Sequence, residues 1–298
     1  MIYADEYYHI GSMHRGKGEP CQDHAISYVD RVMAVGSISD GCSKGRNTDV
    51  GARVINYATL QALKNYVSSN IQSDVIRVAE KVHLMRLESV KKVQQELGFD
   101  GMDLIATNLY ICMLKEIAFI HVLGDGVAAV IDNEGNMDVR RFFWSKNAPY
   151  YPFYDLNQRD QFVEFHGNDL LAGCLTEERW HIDCEDTKTQ VDTIVHSLIS
   201  GMNGIVIDLS EQQKNKKISF AAVFSDGIEQ VDNMEWLDAM VKSLAYKNTT
   251  GLFVKRRMMR FIKDASKFSK GPLDDISCAT IYIPKNSEME GESDDKNS

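Results

Sequence analysis

The chain has little of what marks the more specialised protein classes. Its six cysteines (Cys21, Cys42, Cys112, Cys174, Cys184 and Cys278) are scattered, with no CxxC and no histidine pair at zinc spacing. That excludes a disulfide scaffold and a structural zinc module, and it predicts buried or half-buried thiols in a reducing compartment. No apolar run approaches the roughly 20 residues that a membrane helix needs. The first residues, Met1-Ile-Tyr-Ala-Asp-Glu-Tyr-Tyr, carry acids where a secretory leader would be basic, so the expected location is the cytoplasm. Positive charge is short as well: 33 Lys and Arg stand against 43 Asp and Glu, a formal charge of −10. A basic face that could displace counterions is missing, which argues against nucleic acid and anionic membrane as partners. There is no GxxxxGK[ST] loop, and Ser43-Lys44-Gly45 lacks its frame, so a nucleotide-binding ATPase is a weak reading.

What is present is an ordinary core-forming composition, 44% apolar over 298 residues. Layered sandwiches of roughly 200 to 250 residues are common as single units. We therefore expect one domain over residues 1–284, with an insertion or flap at about 140–217, and a disordered acidic tail at 285–298.

Four apolar runs meet an acid at one end. Ala34 to Ser39 runs into Asp40-Gly41, Leu123-Gly124 into Asp125-Gly126, and Phe224-Ser225 into Asp226-Gly227, while Asp274-Asp275 opens a run through Ile283. One Asp-Gly after a strand is usually a turn. Four acidic strand ends suggest carboxylates gathered at the rim of a sheet, where glycine also frees a backbone carbonyl to turn towards a cation.

Between these marks the chain reads as a mixture of strands and paired helices. Ala25–Val29 and Val32–Ser39 form a hairpin turning at Asp30-Arg31, and two helices follow at about 48–67, with Thr48 as cap, and 73–97. His83 falls off the apolar stripe of the second helix and reads as a surface residue. Three successive strands between residues 101 and 131 joined by short turns predict one antiparallel sheet, with His121 in its core. Residues 140–217 are less regular: an aromatic loop at Asn147–Tyr154, a short helix at about 190–202 and a strand at 203–209. Helices near 234–245 and 252–265 and a last strand at 276–283 complete the pattern. Between residues 7 and 24 a glycine-punctuated loop carries His14, Arg15 and Lys17, which could hold an anion, and ends in Asp23, which could help hold a cation.

The ordered series Gln22-Asp23, Ser39-Asp40-Gly41, Gly124-Asp125-Gly126, Ser225-Asp226-Gly227-Ile228 and Asp274-Asp275-Ile276-Ser277 resembles the metal-dependent type 2C serine/threonine protein phosphatases. The likeness spans roughly residues 8 to 284. It is nearest to the divergent bacterial-type branch, through Ser12-Met-His, Pro20-Cys-Gln-Asp and Asp40-Gly-Cys. The resemblance implies an α+β fold: a β-sandwich of two antiparallel sheets flanked by pairs of antiparallel helices, with the active site in a cleft at one end. It implies that Asp40 bridges two Mn²⁺ or Mg²⁺ ions, that Asp226 and Asp274 complete one ion, and that the Gly41 carbonyl serves the other with Asp23. Asp125 with Asp226 matches a weaker third metal position. Asp40, Asp226 and Asp274 would thus carry catalysis, as a hydroxide held between the ions attacks the phosphorus of phosphoserine or phosphothreonine.

The chain departs from that pattern in three places. The family's phosphate-binding arginine is matched by Gly18, which leaves Arg15, His14 or Lys17 for the task, Arg15 being favoured for its planar fork. Cys42 stands where the animal branch has a histidine proposed as leaving-group acid, so a metal-bound water would protonate the product. Gln230 replaces an acid that often accompanies the third ion. The implied partner is a phosphoprotein opposing a Ser/Thr kinase, with a monomer as the default state. The alternative is a catalytically silent phosphatase-like module that binds a phosphoprotein or regulates a partner. Retention of Asp23, Asp40, Asp226 and Asp274 together favours activity, because clustered carboxylates repel one another without metal.

Overall fold

A strand covered on both faces reads as an unbroken apolar run, and the central strands of this chain do so because they are the middle layers of a four-layer structure. The structure is a computed structural model that describes residues 2–69, 74–267 and 269–285. The expected acidic tail lies outside these residues, apart from Lys285. In chain order the strands are β1 (Tyr3–His9), β2 (His24–Val29), β3 (Met33–Ser39), β4 (Asn108–Leu114), β5 (Ala118–Leu123), β6 (Gly126–Asp132), β7 (Met137–Trp144), β8 (Gly173–Ile182), β9 (Lys188–Ser197), β10 (Ile205–Asp208), β11 (Ile218–Phe224) and β12 (Ile276–Tyr282). The helices are α1 (Ser12–Lys17), α2 (Thr48–Ser69), α3 (Val75–Leu97), α4 (Tyr154–Asn157), α5 (Arg159–Phe165), α6 (Leu198–Asn203), α7 (Ser210–Lys214), α8 (Trp236–Leu244) and α9 (Phe253–Ala265).

Two antiparallel sheets form, with strand orders β1-β12-β11-β6-β7-β8-β9 and β10-β5-β4-β3-β2. Their side chains alternate between two cores. On β4, Leu109, Ile111 and Met113 face the opposite sheet, where Ala221 and Val223 of β11 and Ala279 and Ile281 of β12 meet them. Tyr110, Cys112 and Leu114 of the same strand pack instead against Ala62 and Leu63 of α2 and Val78 and Val82 of α3. On the other side, Ala222 and Phe224 of β11 pack against α8 and α9 through Met240, Val254, Met258 and Phe261. The expected sandwich with a helix pair on each face is therefore the observed fold.

Several local expectations need correction. The strands at 108–131 do not form one sheet: β4 pairs β5, but β6 pairs β7 and β11 in the other sheet. The chain crosses at Gly124-Asp125-Gly126, where φ of 114° and 133° at the two glycines turns it more sharply than side-chain-bearing residues allow. Residues 188–197 are strand rather than helix, because alternating β-branched Thr189, Val191, Thr193 and Val195 favour pairing with β8. The 12–17 segment is helical, not loop. Thr48 is the first residue of α2, and its buried hydroxyl makes no hydrogen bond, so it is no cap. Asp74 caps α3 by accepting from Ile76 and Arg77 N–H; Ser73, the expected start, lies outside the described residues. His83 is half-buried, since α4 covers that flank of α3 and Asp155 reaches its Nε2 at 2.8 Å.

Candidate active site

Antiparallel pairing puts alternate strand ends at one edge of a sheet, and here it collects every acid singled out above. Ser39 of β3 pairs His24 of β2, Asn108 of β4 pairs Leu123 of β5, and Phe224 of β11 lies between Val127 and Cys278. The residues just beyond these pairs are Asp23, Asp40, Asp125, Asp226 and Asp274. Asp40, Gly41, Asp125, Asp226 and Asp274 line one cleft of about 530 Å³, with His14, Gln22 and Gln230. Asp23 lies beneath its floor, fully buried.

The backbone around Asp40 is fixed on three sides. Its N–H donates to Thr107 Oγ1 at 3.0 Å, its carbonyl accepts from Thr107 N–H at 2.8 Å, and Gly41 N–H reaches the Gln22 carbonyl at 3.2 Å. Ser225 Oγ donates to Asp23 Oδ2 at 2.6 Å while accepting from Ser277 N–H at 2.9 Å, which ties the segments bearing Asp23, Asp226 and Asp274 together. The Gln230 amide donates to Asp226 Oδ2 at 3.4 Å and to Asp274 Oδ2 at 3.2 Å. Gln230 thus acts as a neutral clamp between two carboxylates.

Electrostatically the cluster is unbalanced. Burial, then Asp23 and Asp226, hold the Asp40 carboxyl well above the ordinary range. Burial and then Asp274 raise Asp226, and burial and then Asp226 raise Asp125. Asp23 is pushed up to about 7, chiefly by burial, and its Oδ1 is buried with no hydrogen-bond partner. An orphaned carboxylate oxygen and a group of mutually repelling acids are what a cation site looks like from the protein side, and the all-oxygen donor set suits Mg²⁺ or Mn²⁺. Glu229 also lies close, but Arg141 Nε holds it at 2.7 Å, so it does not replace the acid exchanged for Gln230.

The three expected phosphate ligands separate. Of them, only His14 lines the cleft. Arg15 turns away: its guanidinium bonds His9 Nε2 at 2.9 Å and the Ile10 carbonyl at 3.1 Å and lines a different pocket, because α1 winds where a loop was expected. Lys17 is exposed and faces Glu19 at 3.7 Å. Lys44 is the one lysine or arginine among the cleft-lining residues. Sequence reasoning passed over it, having weighed this loop only for a nucleotide frame. It also missed the cleft's second wall, where Pro149, Tyr151, Tyr154, Phe162 and Phe165 stand opposite the acids. The aromatic signal at Asn147–Tyr154 was visible, but not where it would fold. His83 and Arg159 anchor this wall through Asp155, the latter at 2.6 Å, and Tyr150 donates to the same carboxylate at 2.6 Å.

Comparison with known proteins gives a family and a fold. Residues 10–264 match the family model described as protein phosphatase 2C. Among solved structures, a bacterial serine phosphatase carrying one substitution is similar with a TM-score of 0.51 at 9% identity, over 96% of this chain and 99% of that one. A C. elegans sex determining protein is similar with a TM-score of 0.54 at 14% identity, over 96% of this chain and 66% of that one. At such identities the likeness is one of fold. No curated protein sequence gives a significant match.

Proposed function

The chain belongs to the protein phosphatase 2C family, and on that premise we propose that it is a metal-dependent phosphatase acting on phosphoserine or phosphothreonine in proteins. The observation that carries the reading is the convergence of Asp40, Asp125, Asp226 and Asp274 in one cleft, above a buried Asp23 with an unpartnered oxygen. Asp40, Asp226, Asp274, Asp23 and the Gly41 carbonyl would hold two divalent cations, Mn²⁺ or Mg²⁺, and Asp125 a weaker third. When bound, the ions supply a water activated at neutral pH and positive charge for the phosphoryl oxygens.

The chain's own residues do the rest. Thr107 and Gln22 fix the backbone at Asp40, and Gln230 sets the spacing of Asp226 and Asp274 without adding charge. Lys44, exposed on the rim, is placed to meet the dianionic phosphoryl group before it reaches the acids. The aromatic wall offers apolar contact to residues flanking the phosphorylated side chain. No cysteine is needed as nucleophile, and all six thiols are free. No helix among the described residues is long and apolar enough to cross a membrane.

The test is hydrolysis of a phosphothreonine peptide by the purified chain with Mn²⁺ or Mg²⁺, and again in excess chelator. Activity is expected only with metal. Full activity in chelator, or none with either ion, overturns the proposal.

A further inference from the structure

Asp274 has two sides, and the reading above uses one of them. Its Oδ2 faces Gln230 and, across that amide, Asp226. Its Oδ1 faces the other way, 3.8 Å from Nδ1 of His14, which lies 3.0 Å from Oδ2 of Asp275. His14 is 7% exposed, and its Nδ1 is buried with no hydrogen bond to any neighbour, the nearby carboxylates included. With the ring proton on Nε2, Nδ1 turns a lone pair towards these two carboxylates, an arrangement that a cation between them makes favourable.

The site is built rather than incidental. Ser12 and Met13 N–H donate to the Pro272 and Leu273 carbonyls at 2.9 and 3.0 Å, pinning α1 onto the segment before β12 that carries Asp274 and Asp275. Gly11 packs so tightly there that a Cβ would stand 2.2 Å from the Asp274 carbonyl carbon. That approach lets Gly11 N–H donate to Asp275 Oδ1 at 2.7 Å, while Gln22 N–H donates to Oδ2 at 2.6 Å. Each Asp275 oxygen keeps a lone pair, and its rotamer is locked. On the far side of the imidazole, Nε2 faces Glu19 Oε2 at 3.8 Å, the side on which carboxylates commonly orient metal-binding histidines.

We propose that His14 Nδ1, Asp274 Oδ1 and Asp275 Oδ2 form a further cation position, separate from the expected pair and joined to it through Asp274 as a bridging carboxylate. The three ligand atoms lie within 4.8 Å of one another. Bonds of about 2.1 Å put ligands on an octahedral ion about 3 Å apart when adjacent and about 4.2 Å apart when opposite, and the 3.0 and 3.8 Å separations from Nδ1 fall in that span. One imidazole with two carboxylates favours a first-row transition ion, Mn²⁺ among them, over Mg²⁺, which prefers oxygen and water. The inference rests on the proposed function only in that the other oxygen of Asp274 serves the paired ions.

The experiment is pulsed EPR on the full chain loaded with Mn²⁺, with the bound ions counted by titration. The wild type is expected to show modulation from a directly coordinated nitrogen. His14→Ala and His14→Gln are each expected to abolish it and to bind one ion fewer per chain. If either variant fails to fold, ¹⁵N-histidine labelling of the wild type gives the same readout through its changed modulation pattern. No nitrogen coupling at saturating Mn²⁺, or coupling that survives in a folded His14 variant, overturns the inference. Phosphopeptide hydrolysis on the same samples separates the two readings. Metal-dependent activity without nitrogen coupling overturns only this site, and nitrogen coupling without activity overturns only the proposed function.

Discussion

Two groups of buried acid in this molecule solve the same electrostatic problem in opposite ways. Glu177 on β8 has no solvent exposure of its side chain, yet Arg179 Nε at 2.7 Å, Arg140 at 3.1 Å and His196 Nε2 at 2.7 Å surround it. Burial alone would raise its carboxyl, but the hydrogen bonds from Arg179 and His196 and the charge of Arg140 carry it below the ordinary range. The cleft acids have no such retinue. Burial raises Asp40, Asp125 and Asp226, neighbouring acids raise them further, and among the described residues no ion pair joins them to Lys44, the one lysine lining the cleft. A chain can neutralise a buried carboxylate from within when the role is structural, and it leaves the charge open where the counter-ion is to come from solution.

The sharpest test of that contrast exchanges an acid for its amide in each place. Asp226→Asn is expected to lower metal-dependent hydrolysis at least about a thousandfold, some 4 kcal/mol of barrier, while the protein stays folded. Glu177→Gln should leave turnover within about threefold but cost about 1–3 kcal/mol of stability, since Arg140 and Arg179 would then face each other without their shared anion. Urea denaturation beside steady-state kinetics reads both. A Glu177 variant that is stable but inactive would break the comparison.

The next effect is a matter of sign with pH. Asp23, Asp40, Asp125 and Asp226 bind protons more tightly folded than unfolded, so their stabilisation is full below the unfolded value near 4. In the metal-free protein it is lost as pH rises through the folded values, about 7 for Asp23. Glu177 runs the other way: its contribution is present above the unfolded carboxyl value and lost as pH falls through its lowered folded one. Melting temperature in chelator should therefore fall between pH 5 and pH 8, and Mn²⁺ should remove that fall. A melting temperature in chelator that is flat or rising over the interval would show that the cleft acids are not strained.

How much of this could be read in advance follows from the range of the signals. Strand ends, turns and amphipathic helices are local, so Asp40, Asp125, Asp226 and Asp274 were legible as acids at sheet rims, and α2, α3, α8 and α9 as helices. The switch of β6 to the second sheet was not, because Gly124-Asp125-Gly126 also reads as an ordinary hairpin turn. Nor was the direction of Arg15: a six-residue helix holding His14, Arg15 and Gly16 between two glycine caps has no periodicity to announce it, and its place is fixed by bonds to Pro272 and Leu273, far off in sequence. His83 was misread for the same reason, since the aspartate that covers it is 72 residues away.

The smallest expected effect probes the contrast most finely. Asp125 is raised by burial and by Asp226, and its removal from the metal-free protein takes away repulsion and leaves a side chain that can still hydrogen-bond. Asp125→Asn should therefore stabilise the metal-free chain by about 0.5–2 kcal/mol, the range typical of relieving strain at a functional site. In saturating Mn²⁺ the gain should vanish, because the carboxylate then has a cation to face and the amide is the poorer ligand. Paired denaturation curves with and without Mn²⁺ decide it. An equal gain in both conditions would make Asp125 a bystander to metal, and a loss in both would place it with Glu177 among the acids that the fold itself requires.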